Sequence, residues 1–171
     1  MPIAQRLSQL SAKSGPTVTQ TDYYFDDSHS TLEKSDKALR LRCQMQEGKQ
    51  KNIFSFKGPR QGGEFKRRRE IQFGIDNVER AIELFSSLGF EKSLAFQKRR
   101  QVWHVEDCEV ALDELPLLGT FVEIEGPSEE KIAGVQAKLG LASLAHIPDS
   151  YATLMCRHCE QKGLRKREIY F

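Results

Sequence analysis

The sequence predicts an α+β protein made mainly of antiparallel β-strands, with helices inserted between the strands rather than alternating with them. The clearest evidence is residues 107–126, where two alternating segments flank a turn that contains Pro116 and Gly119. Several other segments alternate charged and apolar residues with period two, which is typical of strands. Two further segments have helical apolar spacing and polar capping residues at their starts.

Composition indicates one domain with a sizeable core. The chain has 171 residues and a net charge of only +2, although 29% of its residues are charged. No apolar run is long enough to cross a bilayer and no signal-peptide pattern follows the start, so a cytoplasmic protein without membrane contact is predicted. The four cysteines have irregular spacing, and the single pair Cys156 and Cys159 lacks the second pair that a zinc site needs.

The first half of the chain predicts a short helix and four strands. Ile3, Leu7 and Leu10 form a helical stripe, which the Gly15–Pro16 pair is expected to end. The strands are predicted at residues 17–26, 37–42, 52–57 and 66–73. In the second and third strands, charged or polar residues share one face and apolar residues share the other. In the fourth, Arg69 shares a face with Ile71 and Phe73, opposite Arg68, Glu70 and Gln72.

The second half predicts three helices around one long strand and the hairpin. A helix begins at Asp76 as N-cap, with Glu79 completing a capping box, and ends at Gly89. A strand covers residues 94–105. A helix covers 128–139, with Ser128 as its N-cap and Gly140 closing it, and another helix covers 151–158. The predicted domain therefore spans residues 1–158, followed by a basic tail at 159–171.

Charged residues recur at period two on strand after strand. They are Arg40, Arg42, Lys57, Arg68, Glu70, Lys98, Arg100, Asp113, Glu123 and Glu125. One interpretation places this charge on a solvated face of the sheet. The other is that the sheet curls into a barrel, so that the bases meet inside and hold a polyanion while the acids hold a divalent cation. A strand that faces a cation explains two carboxylates on one face, as at Glu123 and Glu125.

Seven motifs in fixed order resemble a known family. They are QTDYYFDD from Gln20, ALRLR from Ala38, FSFKGP from Phe54, RREI from Arg68, KRRQVW from Lys98, LDELPLLGTFVEIEG from Leu112 and SY from Ser150. Together they resemble the CYTH domain, or triphosphate tunnel metalloenzyme fold, whose members include class IV adenylyl cyclases, thiamine triphosphatases and inorganic triphosphatases.

The resemblance implies an antiparallel barrel of about eight strands, or one strand short, with flanking helices. It implies that a triphosphate is contacted by Arg40, Arg42, Lys57, Arg68, Lys98 and Arg100, of which Lys57, Lys98 and Arg100 take part in catalysis. It implies that Mg²⁺ or Mn²⁺ is held by Glu123, Glu125, Asp113 and Glu70. The substrate is then a nucleoside triphosphate, inorganic triphosphate or thiamine triphosphate.

One family motif is absent from the sequence. The family begins with a strand carrying a Glu-x-Glu-x-Lys signature, and no such motif precedes Gln20. Either the start of the protein lies upstream or part of the metal site has been lost. In the second case, the strand-like segment 167–171, or a second copy of the chain in a homodimer, is expected to cover the open sheet edge. Two functions follow: a metal-dependent cyclase or triphosphatase, and a degenerate module that binds phosphorylated ligands without turnover.

The basic run at residues 66–69 offers a different interpretation, a nucleic-acid patch. The small net charge and the glutamates interleaved with the bases argue against a broad footprint on a phosphate backbone. We therefore expect no nucleic-acid partner.

Overall fold

A computed structural model describes residues 1–46, 48–62, 67–164 and 167–171, and for Gln46 and Arg67 it describes only the backbone. Lys66, the predicted start of the fourth strand, lies outside the described residues. The elements, in chain order, are α1 (Ile3–Gln9), β1 (Lys13–Asp26), α2 (Thr31–Lys34), β2 (Ala38–Gln46), β3 (Lys49–Gln61), β4 (Arg67–Gly74), α3 (Val78–Ser87), β5 (Glu91–Val105), β6 (Cys108–Leu115), β7 (Gly119–Glu125), α4 (Glu129–Lys138), α5 (Tyr151–Gln161) and β8 (Glu168–Ile169).

All eight described strands belong to one sheet. Seven follow the order β4-β3-β2-β1-β5-β6-β7 and pair antiparallel, while β8 pairs parallel with β5. The sheet curls into a half-barrel, with β4 and β7 at its two ends and unpaired with each other in the described part of the chain. This confirms the predicted antiparallel α+β architecture. No described helix is long and apolar enough to span a membrane.

The N-terminal elements differ from the prediction at the Gly15–Pro16 pair. Helix α1 ends at Gln9, and β1 already begins at Lys13. The pair therefore lies inside the strand, where the register with β5 shifts between Ser14 and Thr17. Proline lacks a backbone N–H and is tolerated in a strand at such an irregularity, so it interrupts the pairing here instead of ending a helix.

Helix capping was predicted correctly at three positions and wrongly at one. Ser128 accepts a hydrogen bond from the backbone N–H of Lys131, and Gly89 and Gly140 have the positive φ expected after a helix. The start of α3 is one residue later than predicted, because the side chain of Asn77, not Asp76, accepts from Arg80 N at 2.8 Å.

The C-terminal residues are tied to the sheet. Helix α5 continues to Gln161, past the predicted end at 158, and buries Cys159. The segment expected to cover an open edge of the barrel does pair as a strand, but with Ala95 and Phe96 of β5 rather than with β4 or β7. The physical reason is that β6 pairs only with residues 99–105 of β5, so the first part of that strand has its own free edge.

Three apolar clusters surround the sheet. Helices α1 and α4 pack on Trp103 and Val110, and α3 packs on Leu41 and Phe54. The third cluster lies on the opposite, concave face of the sheet. Leu94 and Phe96 of this cluster share that face with Lys98 and Arg100, because the four residues occupy alternate positions of β5. Helix α5 covers this apolar part of the concave face, which leaves the charged part beside it open.

Candidate functional site

A cavity of about 1430 Å³ lies on the concave side of the sheet. The predicted site residues that line it are Arg40, Arg42, Lys57, Arg68, Glu70, Lys98, Arg100, Glu123 and Glu125. The side chains of Arg40, Arg42 and Lys98 are only 10%, 12% and 2% exposed, which rules out a solvated sheet face for these bases. The structure thus brings together residues from five strands, as the curled-sheet interpretation requires.

Asp22 is a central residue of this site that sequence reasoning missed. Its carboxylate is 2% exposed and accepts from Arg42 Nε at 2.7 Å and from Arg42 Nη2 at 2.8 Å, while Arg40 lies at 3.8 Å. The two guanidinium groups outweigh the effect of burial and hold the pKa of Asp22 well below its usual range. An acid next to the aromatic residues of the strand segment TDYYFD was the available sequence signal.

Asp113 pairs with Arg100 in the same way as Asp22 pairs with Arg42. Its buried carboxylate accepts from Arg100 Nε at 2.7 Å and from Arg100 Nη2 at 2.5 Å, and Lys98 Nζ lies at 3.4 Å. Arg100 also pairs with Glu123 on β7. Asp113 does not line the cavity, and both of its carboxylate oxygens accept hydrogen bonds from Arg100.

Lys98 is a buried lysine whose pKa is strongly lowered by its surroundings. Burial, together with repulsion by Arg42 and Arg100, lowers the pKa of Lys98 from 10.5 to about 7, against the attraction of Asp113 and Glu123. Its ammonium lies 5.1 Å from the centre of the Tyr151 ring, a cation–π contact. A bound anion would favour the charged form of this side chain.

Tyr151 begins α5 and supplies one wall beside Lys98. Ser150 caps the helix by accepting from Thr153 N, which fixes the position of this first turn. Burial and the carboxylates of Glu123 and Asp113 raise the pKa of Tyr151 far above its usual value, so its hydroxyl stays protonated.

A second group of charges lies toward β4. Lys57 and Glu70 are directly paired across β3 and β4, with 3.4 Å between Nζ and Oε2, and Arg40 lies 3.8 Å from the same glutamate. Burial and the nearby Arg40 lower the pKa of Lys57. Arg68 is held by Asp36 at 2.8 Å, an acid in the α2–β2 connection that sequence reasoning also missed.

The acids of the site provide part of a divalent-cation site. Within the described residues, no three Asp, Glu, His or Cys side chains converge as a complete ligand set. Glu123 and Glu125 project from the same face of β7 into the cavity, and Glu125 makes no ion pair with another described residue. Magnesium is commonly bound through one or two carboxylates together with substrate phosphates, and these two glutamates fit that arrangement.

Comparison with known proteins agrees with the fold and with the motifs. The family model of the CYTH domain matches residues 2–151. The chain belongs to the CYTH domain family. This membership implies a divalent metal at the site, without identifying the ion.

Individual relatives extend the comparison over most of the chain. A Methanocaldococcus jannaschii protein named as a candidate adenylate cyclase is 32% identical over 124 residues, which cover 72% of this chain and 68% of the relative. Adenylate cyclase CyaB of Aeromonas hydrophila is 28% identical over 83% of this chain and 73% of its own. The structure of a Pyrococcus horikoshii protein superposes on this CYTH chain with a TM-score of 0.80 and 26% identity, covering 91% of this chain and 93% of the other.

Proposed function

We propose that this CYTH protein binds a triphosphate in the cavity and turns it over with Mg²⁺ or Mn²⁺, either by converting ATP to cyclic AMP and pyrophosphate or by hydrolysis. The observation that carries the proposal is the convergence of six bases on one cavity. They are Arg40, Arg42, Lys57, Arg68, Lys98 and Arg100. The names of the M. jannaschii and A. hydrophila relatives support the cyclase reaction.

The bases are suited to a phosphate chain because their positions are fixed before it arrives. Arg42 and Arg100 are each held at two points by a buried carboxylate. Charged donors that need no reorganisation stabilise developing negative charge most effectively. In this proposal Asp22 and Asp113 orient the two arginines, and Asp113 serves the site through Arg100 and Lys98 rather than as a metal ligand.

Lys98, Lys57 and Arg100 are the proposed catalytic residues, and each acts as a cation. Lys98 takes up a proton when phosphate enters, so its Nζ then stabilises charge on the phosphate oxygens. Lys57 and Arg100 hold oxygens from opposite sides of the cavity. Bound Mg²⁺ or Mn²⁺, held by Glu123 and Glu125, would neutralise phosphate charge and activate the phosphoryl group for attack. Glu70 is a third candidate ligand, although it pairs with Lys57 and Arg40.

One observation favours a second function, binding without turnover. Glu70, Glu123 and Asp113 are all paired with bases, which leaves Glu125 as the one predicted metal ligand without an ion pair in the described structure. A module of this kind would hold phosphorylated ligands without a complete metal site.

A turnover assay separates the two functions. Purified protein with Mg²⁺ or Mn²⁺ is offered ATP, tripolyphosphate and thiamine triphosphate, and phosphate, pyrophosphate and cyclic AMP are measured. We expect turnover that is lost in Lys57→Ala and in Glu125→Gln. Lys51→Ala, an exposed lysine on the same strand as Lys57 but outside the cavity, should keep it. Calorimetric binding without turnover supports the module, and absence of binding contradicts both functions.

A further inference from the structure

The connection between α4 and α5 exposes large apolar side chains to the cavity. Residues 141–150 form neither helix nor strand, and Leu144 and Ile147 are 61% and 57% exposed. Both line the same cavity as Arg42 and Lys98. Exposed apolar side chains that share a cavity with polar groups are typical of a ligand-binding surface.

This connection is held in place along its length. Leu141 N donates to Gln136 O at 2.9 Å, and the Gln136 side chain contacts the His146 ring at 2.9 Å. Arg60 reaches from β3 and donates to Pro148 O at 3.3 Å, while Arg157 pairs with Asp149 at 2.9 Å. Since these contacts come from α4, β3 and α5, the two apolar side chains are presented in a defined position.

The chemistry of the connection differs from that of the rest of the cavity. Residues 141–148, LASLAHIP, contain no Lys, Arg, Asp or Glu. A phosphate chain gains nothing from such a surface, because the bases that attract it lie on the sheet. A flat organic group gains from contact with it, since burying apolar area is favourable. An inorganic triphosphate would leave this part of the cavity unused.

We infer that Leu144 and Ile147 contact the nucleobase of a nucleoside triphosphate, while its phosphates bind the arginines and lysines of the sheet. Through this contact the two side chains select nucleotides over inorganic triphosphate. The inference rests on the proposed triphosphate site. It assigns substrate selection to a connection that contributes no charged side chain to phosphate binding.

The test compares two ligands in one variant. Binding of ATP and of tripolyphosphate, under the same metal conditions, is measured by calorimetry for wild type and for the double variant Leu144→Ser/Ile147→Ser. We expect the Kd for ATP to rise on the order of tenfold, while the Kd for tripolyphosphate stays unchanged. The matched control, Leu84→Ser/Leu88→Ser, removes two equally exposed leucines outside the cavity and should leave both values unchanged.

The outcomes separate this inference from the proposed function. If the double variant still binds tripolyphosphate and its Kd for ATP equals that of wild type, the role of Leu144 and Ile147 is overturned. The proposed function is not affected by that result. An equal loss for both ligands would also overturn this role, because the effect would then be general. Wild-type protein that binds neither ligand would overturn the proposed function, and this inference with it.

Discussion

Asp22 and Arg42 form a bidentate ion pair on the concave face of the sheet, with N–O distances of 2.7 and 2.8 Å. The two residues are direct cross-strand partners on β1 and β2. Arg100 and Asp113 repeat this relationship on β5 and β6, again as direct partners joined at two points. Strand register therefore sets the position of both inner arginines.

Replacing Asp22 by Asn should weaken both the fold and the site. The change leaves the buried Arg42 without its counter-charge, so we expect the free energy of unfolding to fall by about 3–5 kcal/mol. Displacement of Arg40 and Arg42 should raise the Kd for tripolyphosphate on the order of tenfold. Denaturant unfolding and calorimetry measure the two effects.

The control for Asp22 is Asp107→Asn, which removes an exposed acid paired with Lys131. It should change neither quantity measurably, because exposed ion pairs contribute little. An Asp22→Asn protein with wild-type affinity would contradict the orienting role of this carboxylate.

Phosphate binding should be coupled to proton uptake by Lys98. Its pKa of about 7 leaves it mostly neutral at about pH 8, where phosphate groups are already ionised. Bound phosphate favours the charged form, so the protein should take up a proton from the buffer. Calorimetry in buffers of different ionisation enthalpy measures the uptake, which should vanish in Lys98→Met. Proton release, or equal uptake in this variant, would show that Lys98 is not the group involved.

Lys98 should also affect stability in a defined pH range. Between about pH 7 and pH 10.5 the unfolded protein keeps this lysine protonated while the folded protein does not. The unfolded state then binds more protons, so this residue makes the free energy of unfolding rise with increasing pH across that range. In Lys98→Met the rise should be smaller, as measured by chemical denaturation across the same range. An identical pH profile in the variant would be inconsistent with the lowered pKa.

Arg60 should hold the α4–α5 connection in position. Its guanidinium joins Asp36 to the carbonyl of Pro148. In Arg60→Ala we expect faster amide hydrogen exchange in residues 144–149 and little change in global stability. Arg80→Ala, on the exposed side of α3, serves as the control. Unchanged exchange would mean that the contacts with α4 and α5 are sufficient.

The C-terminal strand should contribute to stability through Ile169. This side chain is 7% exposed and packs in the cluster with Phe96 and Met155. Ile169→Ala should lower the free energy of unfolding by about 2 kcal/mol, near the lower end of the range for such truncations. Tyr170→Ala, at an exposed neighbour, should have a much smaller effect in the same denaturant titration. Equal effects would indicate that β8 adds little to the fold.

The sequence alone determined the strands and the faces of their side chains. Period-two alternation is a local property, so the shared face of Arg40 and Arg42, and that of Glu123 and Glu125, could be predicted without knowing the neighbouring strands. Local chemistry also fixed the N-cap at Ser128 and the positive φ of Gly89. The resemblance of the ordered motifs supplied the curled sheet, which the structure and the family match confirm.

Only the tertiary structure decided which charges meet. The pairing of Asp22 with Arg42 depends on strand register, that of Asp36 with Arg68 depends on a loop, and β8 joined β5 because β6 is shorter than its partner. The same holds for the connection at 141–150, which is held by its flanking helices α4 and α5 and by the distant Arg60 of β3. Periodicity sets the direction of a side chain, whereas its partner is set by long-range packing, which no local pattern encodes.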